Sequence, residues 1–430
     1  MDAAKPREPV EEGPRSFLSK LGPGLITGAA DDDPSGIGTH SQIGAQFGYG
    51  LAWTFVLSFP LMVVIQEVAA NIGRVTGAGI ARNLKRHYPR MLWSIVALLL
   101  VANVVNLGAD LSAMGAALAL LIGGNGGLYT LLFGILCIVL EVGLSYPRYA
   151  SVLKWTTLTL FTYVGVVLVA HVPWPRALRS LIVPELQWNI AYATALVAIL
   201  GTTISPYLFF WQAGQEIEEQ HRHHAKPLCI TPRAAGRELR RIRLDTLIGM
   251  AFSTLISLAI VFATAATLNA NGIHDIATSQ QAAEALRPLA GQFAFAMFAI
   301  GIIGTGLLAV PVLAGSAAYA VTELAGFPGS LDAKLVKARL FYATIAITTL
   351  AGASLNAIGI DPARALYWAA VVNGILAAPL MAVMMLIVSN RRAMGQLTAP
   401  KRTKLLGWVA TAVMFAASAL FLAFLIGSWV

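Results

Sequence analysis

Stretches of about 20 consecutive apolar residues, the length a helix needs to cross the hydrocarbon core of a bilayer, recur along this chain with short polar connections between them. No other feature constrains the fold as tightly. Composition agrees: of 430 residues, 57% are apolar and 12% charged, against roughly 45–50% and about 25% in soluble domains. The fold class is an all-α polytopic membrane protein, and a water-soluble enzyme is the wrong starting point.

Eleven spans are predicted, near residues 20–50, 52–73, 91–122, 127–145, 150–172, 190–217, 242–270, 290–324, 338–356, 364–389 and 404–428, with boundaries good to about 2–4 residues. An odd count puts the termini on opposite sides. With the N-terminus inside, all 30 Lys and Arg fall in the tail or a cytosolic loop except Arg176, Arg179, Arg287 and Arg364, so the positive-inside rule sets the N-terminus in the cytosol and the C-terminus outside. The net charge of +9 is then a topology signal and not a nucleic-acid footprint, since its largest cluster, Arg233 to Arg243, directly precedes a span. Residues 1–19 carry Glu8, Glu11 and Glu12 and no apolar core, which reads as a cytosolic tail, not a cleaved signal peptide. Cys137 and Cys229 cannot build a disulfide framework or a thiolate cluster. His221, His223 and His224 share a basic loop; imidazoles suit transition metals, but composition alone assigns no site and the loop is read as solvated.

Two spans are poor membrane helices. The first contains Gly22-Pro23-Gly24, Gly28, then Asp31-Asp32-Asp33-Pro34-Ser35-Gly36, and the sixth contains Gly201-Thr202-Thr203-Ile204-Ser205-Pro206-Tyr207. Non-helical backbone at membrane depth survives only where it lines a cavity or is buried in protein. Breaks five spans apart match secondary transporters built from inverted repeats, whose discontinuous helices meet at a midplane site. Of the three aspartates, neighbours on a helix point about 100° apart, so Asp33, beside the proline, is expected to face the substrate. Asp31 and Asp32 are expected on the cytosolic half-helix, facing a vestibule or capping the next helix.

These segments resemble the Nramp family of metal-ion transporters. Asp33-Pro34-Ser35-Gly36 stands where that family carries Asp-Pro-Gly-Asn, and Thr202-Thr203-Ile204-Ser205-Pro206-Tyr207 where it carries Ala-x-x-Met-Pro-His. Gln66 to Gly77 and Asp110-Leu111-Ser112-Ala113 also match, the latter where the family has Asp-Leu-Ala-Glu. The departures at Gly36, Ser205 and Tyr207 are most similar to the Nramp-related magnesium transporter branch. The resemblance implies a LeuT-type fold of two inverted five-helix repeats, over 20–172 and 190–389, joined by an outer loop at 173–189 and followed by an eleventh helix at 404–428. It implies uptake of divalent metal into the cytosol, in a cell membrane, the bacterial inner membrane being the expected one. The metal is substrate; no cofactor, enzyme activity, nucleic acid or obligate protein partner is expected, and the bilayer is the surrounding medium.

The ligand changes fit a hard cation. A thioether favours softer metals, whereas carboxylate, carbonyl and water suit Mg²⁺ and Mn²⁺, and Ser205 removes the thioether. Mg²⁺ keeps several waters and is held by one or two carboxylates; Gly36 subtracts a ligand and adds room for those waters. Asp33 is the expected anionic contact, with carbonyls near Ala30 and Thr202 and hydroxyls of Thr202, Thr203 or Ser205 meeting the ion or its waters. Intramembrane ionisable groups are functional candidates because they are costly at depth. Asp110 aligns with the family's proton route, but Ala113 and Tyr207 replace that route's Glu and His, so the relay is read as dismantled. Glu216, with Glu218 and Glu219, is expected either to line an outer funnel or to sit on a solvated helix end. Tyr207 either contributes to the site or packs, and Asn373 either offers an oxygen to the site or bonds across helices. Gln66 is expected to bond across helices, and Glu67 and Glu141 to be structural. The competing functions are a proton-coupled Mn²⁺ or Fe²⁺ transporter and a cation-coupled organic-solute carrier; Asp33 at the break argues against an anionic solute.

Overall fold

The computed structural model describes residues 23–143, 160–276 and 278–427. The expected tail over 1–19, the first residues of span one and the first part of span five lie outside the described residues. The described chain is helical: α1 (Pro23–Asp31), α2 (Pro34–Phe47), α3 (Trp53–Thr76), α4 (Ile80–His87), α5 (Pro89–Ile122), α6 (Gly126–Gly143), α7 (Phe161–Val169), α8 (Trp174–Ser180), α9 (Ile190–Thr203), α10 (Pro206–Arg222), α11 (Ala235–Thr267), α12 (Ser279–Glu284), α13 (Ala294–Ala325), α14 (Arg339–Leu355), α15 (Pro362–Ser389) and α16 (Lys401–Gly427). Eight stretches are long and apolar enough to span a membrane, with α9 and α10 taken together as one. The remaining expected spans are the α1/α2 pair, α7 and the shorter apolar α14.

Both breaks have the same local cause. The residue before a proline is driven to extended backbone, and proline itself is well placed at the first position of a helix. Asp33 (φ −70°, ψ 170°) precedes Pro34, and Ser205 (φ −80°, ψ 130°) precedes Pro206. Each proline therefore ends one helix and starts another instead of kinking a continuous one. The two broken spans run antiparallel. α1 starts beside Asp245 of α11, next to the basic segment that opens that helix, and α2 ends near Asn269; α9 starts at that latter end, capped by Asn189, and α10 runs down to Arg222 on the basic side.

With no hydrophobic drive between helices in lipid, small residues that let backbones approach hold such bundles together. Gly28 of α1 lies against Gly249 of α11, where an added Cβ would sit 2.3 Å from the Gly249 carbonyl oxygen. A Cβ on Gly201 of α9 would lie 2.0 Å from the Ala370 oxygen of α15. Gln66 of α3 donates to the Leu208 carbonyl at 3.0 Å, the expected cross-helix bond. Glu67 pairs with Arg243 at 3.8 Å. The Glu141 carboxylate is buried in α6 and has no hydrogen-bond partner among the described residues.

The crossing of α9 on α15 fixes the floor of the sixth-span break, so Gly201→Leu should lower the apparent melting temperature of the purified protein, with an overpacking cost of about 1–3 kcal/mol. Gly236→Leu, at a position with nothing within 4 Å of the added Cβ, should leave it unchanged in the same fluorescence melt.

Candidate functional site

The two breaks meet at Asp33. Its Oδ1 accepts the Gly36 amide at 2.6 Å, capping α2, and its Oδ2 accepts the Tyr207 hydroxyl at 3.0 Å. The same hydroxyl lies 3.2 Å from the Ala30 carbonyl oxygen. Asp110 of α5 adds a second carboxylate at the start of α2, its Oδ1 accepting the Ser35 amide at 3.1 Å. Helix N-termini carry partial positive charge and unsatisfied amides, so α2 steadies both carboxylates. All of these side chains are buried.

Gly36 faces the centre of this arrangement. A Cβ built on it would lie 3.1 Å from the Asp31 carbonyl oxygen, 3.3 Å from Thr202 Oγ1 and 3.4 Å from Asp33 Oδ1. Any side chain here would crowd those three oxygens, and glycine leaves all three facing the break without a side chain between them. Ala30, Asp33, Gly36, Thr202 and Tyr207 are thus brought together at the break.

Two sequence-derived expectations, for Glu216 and for Asp31 with Asp32, need correction, and those for Thr203, Ser205 and Asn373 are narrowed. Thr203 donates to the Ile199 carbonyl at 2.9 Å, and Ser205 to the Gly201 and Thr202 carbonyls at 3.0 and 2.9 Å. Both hydroxyl protons are thus committed to their own broken helix, the back-bonding that serine and threonine make in apolar surroundings, leaving only oxygen lone pairs for an ion or its water. Asn373 forms a reciprocal amide pair with Asn106 at 2.7 and 3.0 Å and bonds across α5 and α15. Glu216 lines no outer funnel and is not solvated: it is fully buried at the basic end and pairs with Arg241 of α11 at 2.7 Å. Asp31 and Asp32, expected beside a vestibule or a cap, are buried against Ser253 of α11. Ser253 is missed by sequence reasoning because one serine in a long apolar span carries no signal; Asp245, which accepts the Gly24 amide at 2.7 Å, does carry one, as an acid within a predicted span.

The site is closed at both ends. Towards the basic end, Thr27 of α1 bonds to Gln212 of α10, Arg241 holds Glu216, and Arg74 holds Glu238 at 3.5 Å. Towards the other end, the Ser35 hydroxyl donates to the Leu366 carbonyl at 3.1 Å, and Leu366 packs onto Gly38. Beyond that contact opens a cavity of about 440 Å³ bordered by Gln42, Asp275, Tyr367 and Trp368.

Antiparallel broken helices whose gaps share one buried carboxylate define a LeuT-type fold. The structure aligns with the manganese transporter of Eremococcus coleocola at a TM-score of 0.73, over 96% of this chain and 88% of that one, with 15% identity; that likeness concerns the fold. The model of the family described as natural resistance-associated macrophage protein-like matches residues 24–424, and the chain belongs to this Nramp family. Relatives named divalent metal cation transporter MntH, from Klebsiella pneumoniae and Deinococcus radiodurans, are 25% identical over 410 residues (92% of each chain) and 26% identical over 413 residues (94% of this chain, 89% of the other).

The Tyr207 hydroxyl shares its one proton between two oxygens, Asp33 Oδ2 and the Ala30 carbonyl, and so competes with any cation that would bind them. Hydrogen bonds to charged groups contribute about 1.5–3 kcal/mol, so Tyr207→Phe should tighten divalent-ion binding by about tenfold in a calorimetric titration with Mn²⁺. Weaker binding would show that the phenol oxygen is itself a ligand.

Proposed function

We propose that the protein is a secondary transporter or facilitator that takes divalent metal ions, Mg²⁺ above all and Mn²⁺ as well, into the cytosol through the site between the two broken spans. The position of Gly36 carries this reading. Its missing side chain would have reached Asp33 and Thr202, so an ion held by Asp33 keeps space for water. Mg²⁺ binds proteins in this way, through one or two carboxylates and a partly retained hydration shell. The other groups that face Asp33 among the described residues, the Ala30 carbonyl and the Thr202 and Tyr207 hydroxyls, are oxygens, a donor set for hard cations.

The topology proposed with this function has cytosolic basic loops, an N-terminus inside, a C-terminus outside and two inverted repeats over 20–172 and 190–389, in a cell membrane. Coupling is proposed to be to the ion's own gradient. A proton route needs groups that change charge in the working pH range; Tyr207, with a reference pKa of about 10, and Ala113 offer none at two positions of the relay. The membrane potential suffices as a driving force, contributing about 4.6 kcal/mol per 100 mV for a double charge, twice the single-charge value.

The test is uptake into proteoliposomes carrying Mg²⁺ and pH reporters together. Mg²⁺ uptake should follow an imposed potassium-diffusion potential, leave luminal pH unchanged and vanish in well-folded Asp33→Ala. Luminal acidification that tracks uptake and is lost in Asp110→Asn would instead establish proton coupling. Restoring a soft and a direct ligand with Ser205→Met and Gly36→Asn should shift preference towards Mn²⁺ and Cd²⁺; unchanged inhibition of Mn²⁺ uptake by Mg²⁺ in that double variant would count against ligand type and cavity volume as the discriminators.

A further inference from the structure

The three consecutive aspartates divide between two sides of the break. Asp33 turns towards α2 and α10, as described above. Asp31 and Asp32 turn towards α11, where a single hydroxyl, Ser253 Oγ, lies 2.6 Å from Asp31 Oδ2 and 3.3 Å from Asp32 Oδ1. Both residues are almost fully enclosed, 4% and 2% exposed. A hydroxyl has one proton to donate and cannot serve two carboxylates fully. Asp31 Oδ1 and Asp32 Oδ2 have no hydrogen-bond partner among the described residues.

Compensating charge is missing as well. Among the described residues, the side chains that bear on Asp31 are Ser253, Asp33 and Tyr207, and those that bear on Asp32 are Asp31, Asp33, Ser253 and Ser257 one turn further along α11; no Lys, Arg or His is among them. Asp31 is the last residue of α1, where the helix dipole adds partial negative charge. A buried carboxylate stays charged only where opposite charge or a metal offsets it, and otherwise holds a proton that a metal must displace. Here every neighbour that could be paired is an anion or an uncharged oxygen. Elsewhere along the same interface the contacts are complete: Gly24 N bonds to Asp245 and Gly28 meets Gly249.

We propose that Asp31, Asp32 and Ser253 form a second cation site, between α1 and α11 on the basic-end side of the break, that takes a partly hydrated divalent ion. It rests on the transport reading above and extends it, since an ion leaving Asp33 for the basic end meets this pair next. Carboxylate and hydroxyl oxygens suit the same hard cations as the Asp33 site. A dication bridging the end of α1 to α11 also adds a charged link between two helices that otherwise meet through glycines and one capping carboxylate.

The probe is Mn²⁺, counted by electron paramagnetic resonance on the purified full-length protein at saturation, with melting temperature and monodispersity as controls for folding. The wild type should bind two ions per chain, Asp33→Asn one, Asp31→Asn/Asp32→Asn one, and the triple variant none. Ser253→Ala, which leaves all three carboxylates in place, should weaken one of the two ions about fivefold and spare the other. A wild type that binds a single ion, lost entirely in Asp33→Asn and retained in Asp31→Asn/Asp32→Asn, would overturn the second site while leaving the transport reading intact. No binding by the wild type would overturn both.

Discussion

Backbone groups freed inside a membrane must find partners within the protein, and the fold depends on how this chain meets that demand at Asp33. Its carboxylate closes the exposed start of α2 through the Gly36 amide and ties α2 to α10 through Tyr207. Asp110 assists by taking the Ser35 amide. At the other break, Ser205 folds back on the carbonyls of Gly201 and Thr202. One gap is thus stabilised by acids bound to amides and the other by a hydroxyl bound to carbonyls. The asymmetry leaves anionic oxygen on the first-span side and neutral oxygen on the sixth-span side, which is what a cation between them needs.

The site is marked by what it lacks as much as by what it holds. Glycine at position 36 withholds a side chain from the space between Asp33 and Thr202, and serine at 205 withholds a soft ligand. A phenol now lies between Asp33 and the Ala30 carbonyl, its one proton shared between them. The closure rests on polar latches at the basic end and on Leu366 over Gly38 at the other.

Much of this was legible in the sequence, because the features concerned are local. Apolar runs mark the spans, and a proline preceded by a polar residue inside such a run marks a break wherever it falls. Asp33 and the sixth-span segment follow from that logic, and Gly36 from the resemblance to the family motif, where it replaces Asn. What was not legible depends on which way a side chain turns and on what another helix presents to it. Ser205 and Thr203 have the right chemistry for a ligand, and only their bonds to their own helix show where their protons go. Asn373 looks like a ligand until Asn106 is found opposite it. Glu216 was placed at the wrong end because its acidic neighbours suggested a funnel, although the span that carries it runs into the basic loop and meets Arg241.

The central claim is that Asp33 holds a divalent ion that keeps much of its water because position 36 contributes no side chain. Pulsed electron-nuclear double resonance on bound Mn²⁺ in ¹⁷O-enriched water, using the Asp31→Asn/Asp32→Asn background to isolate the Asp33 site, counts the coordinated waters directly. The account predicts several first-shell waters around one carboxylate, falling when Gly36 is replaced by asparagine. An ion carrying at most one water, with the same count in Gly36→Asn, would contradict it.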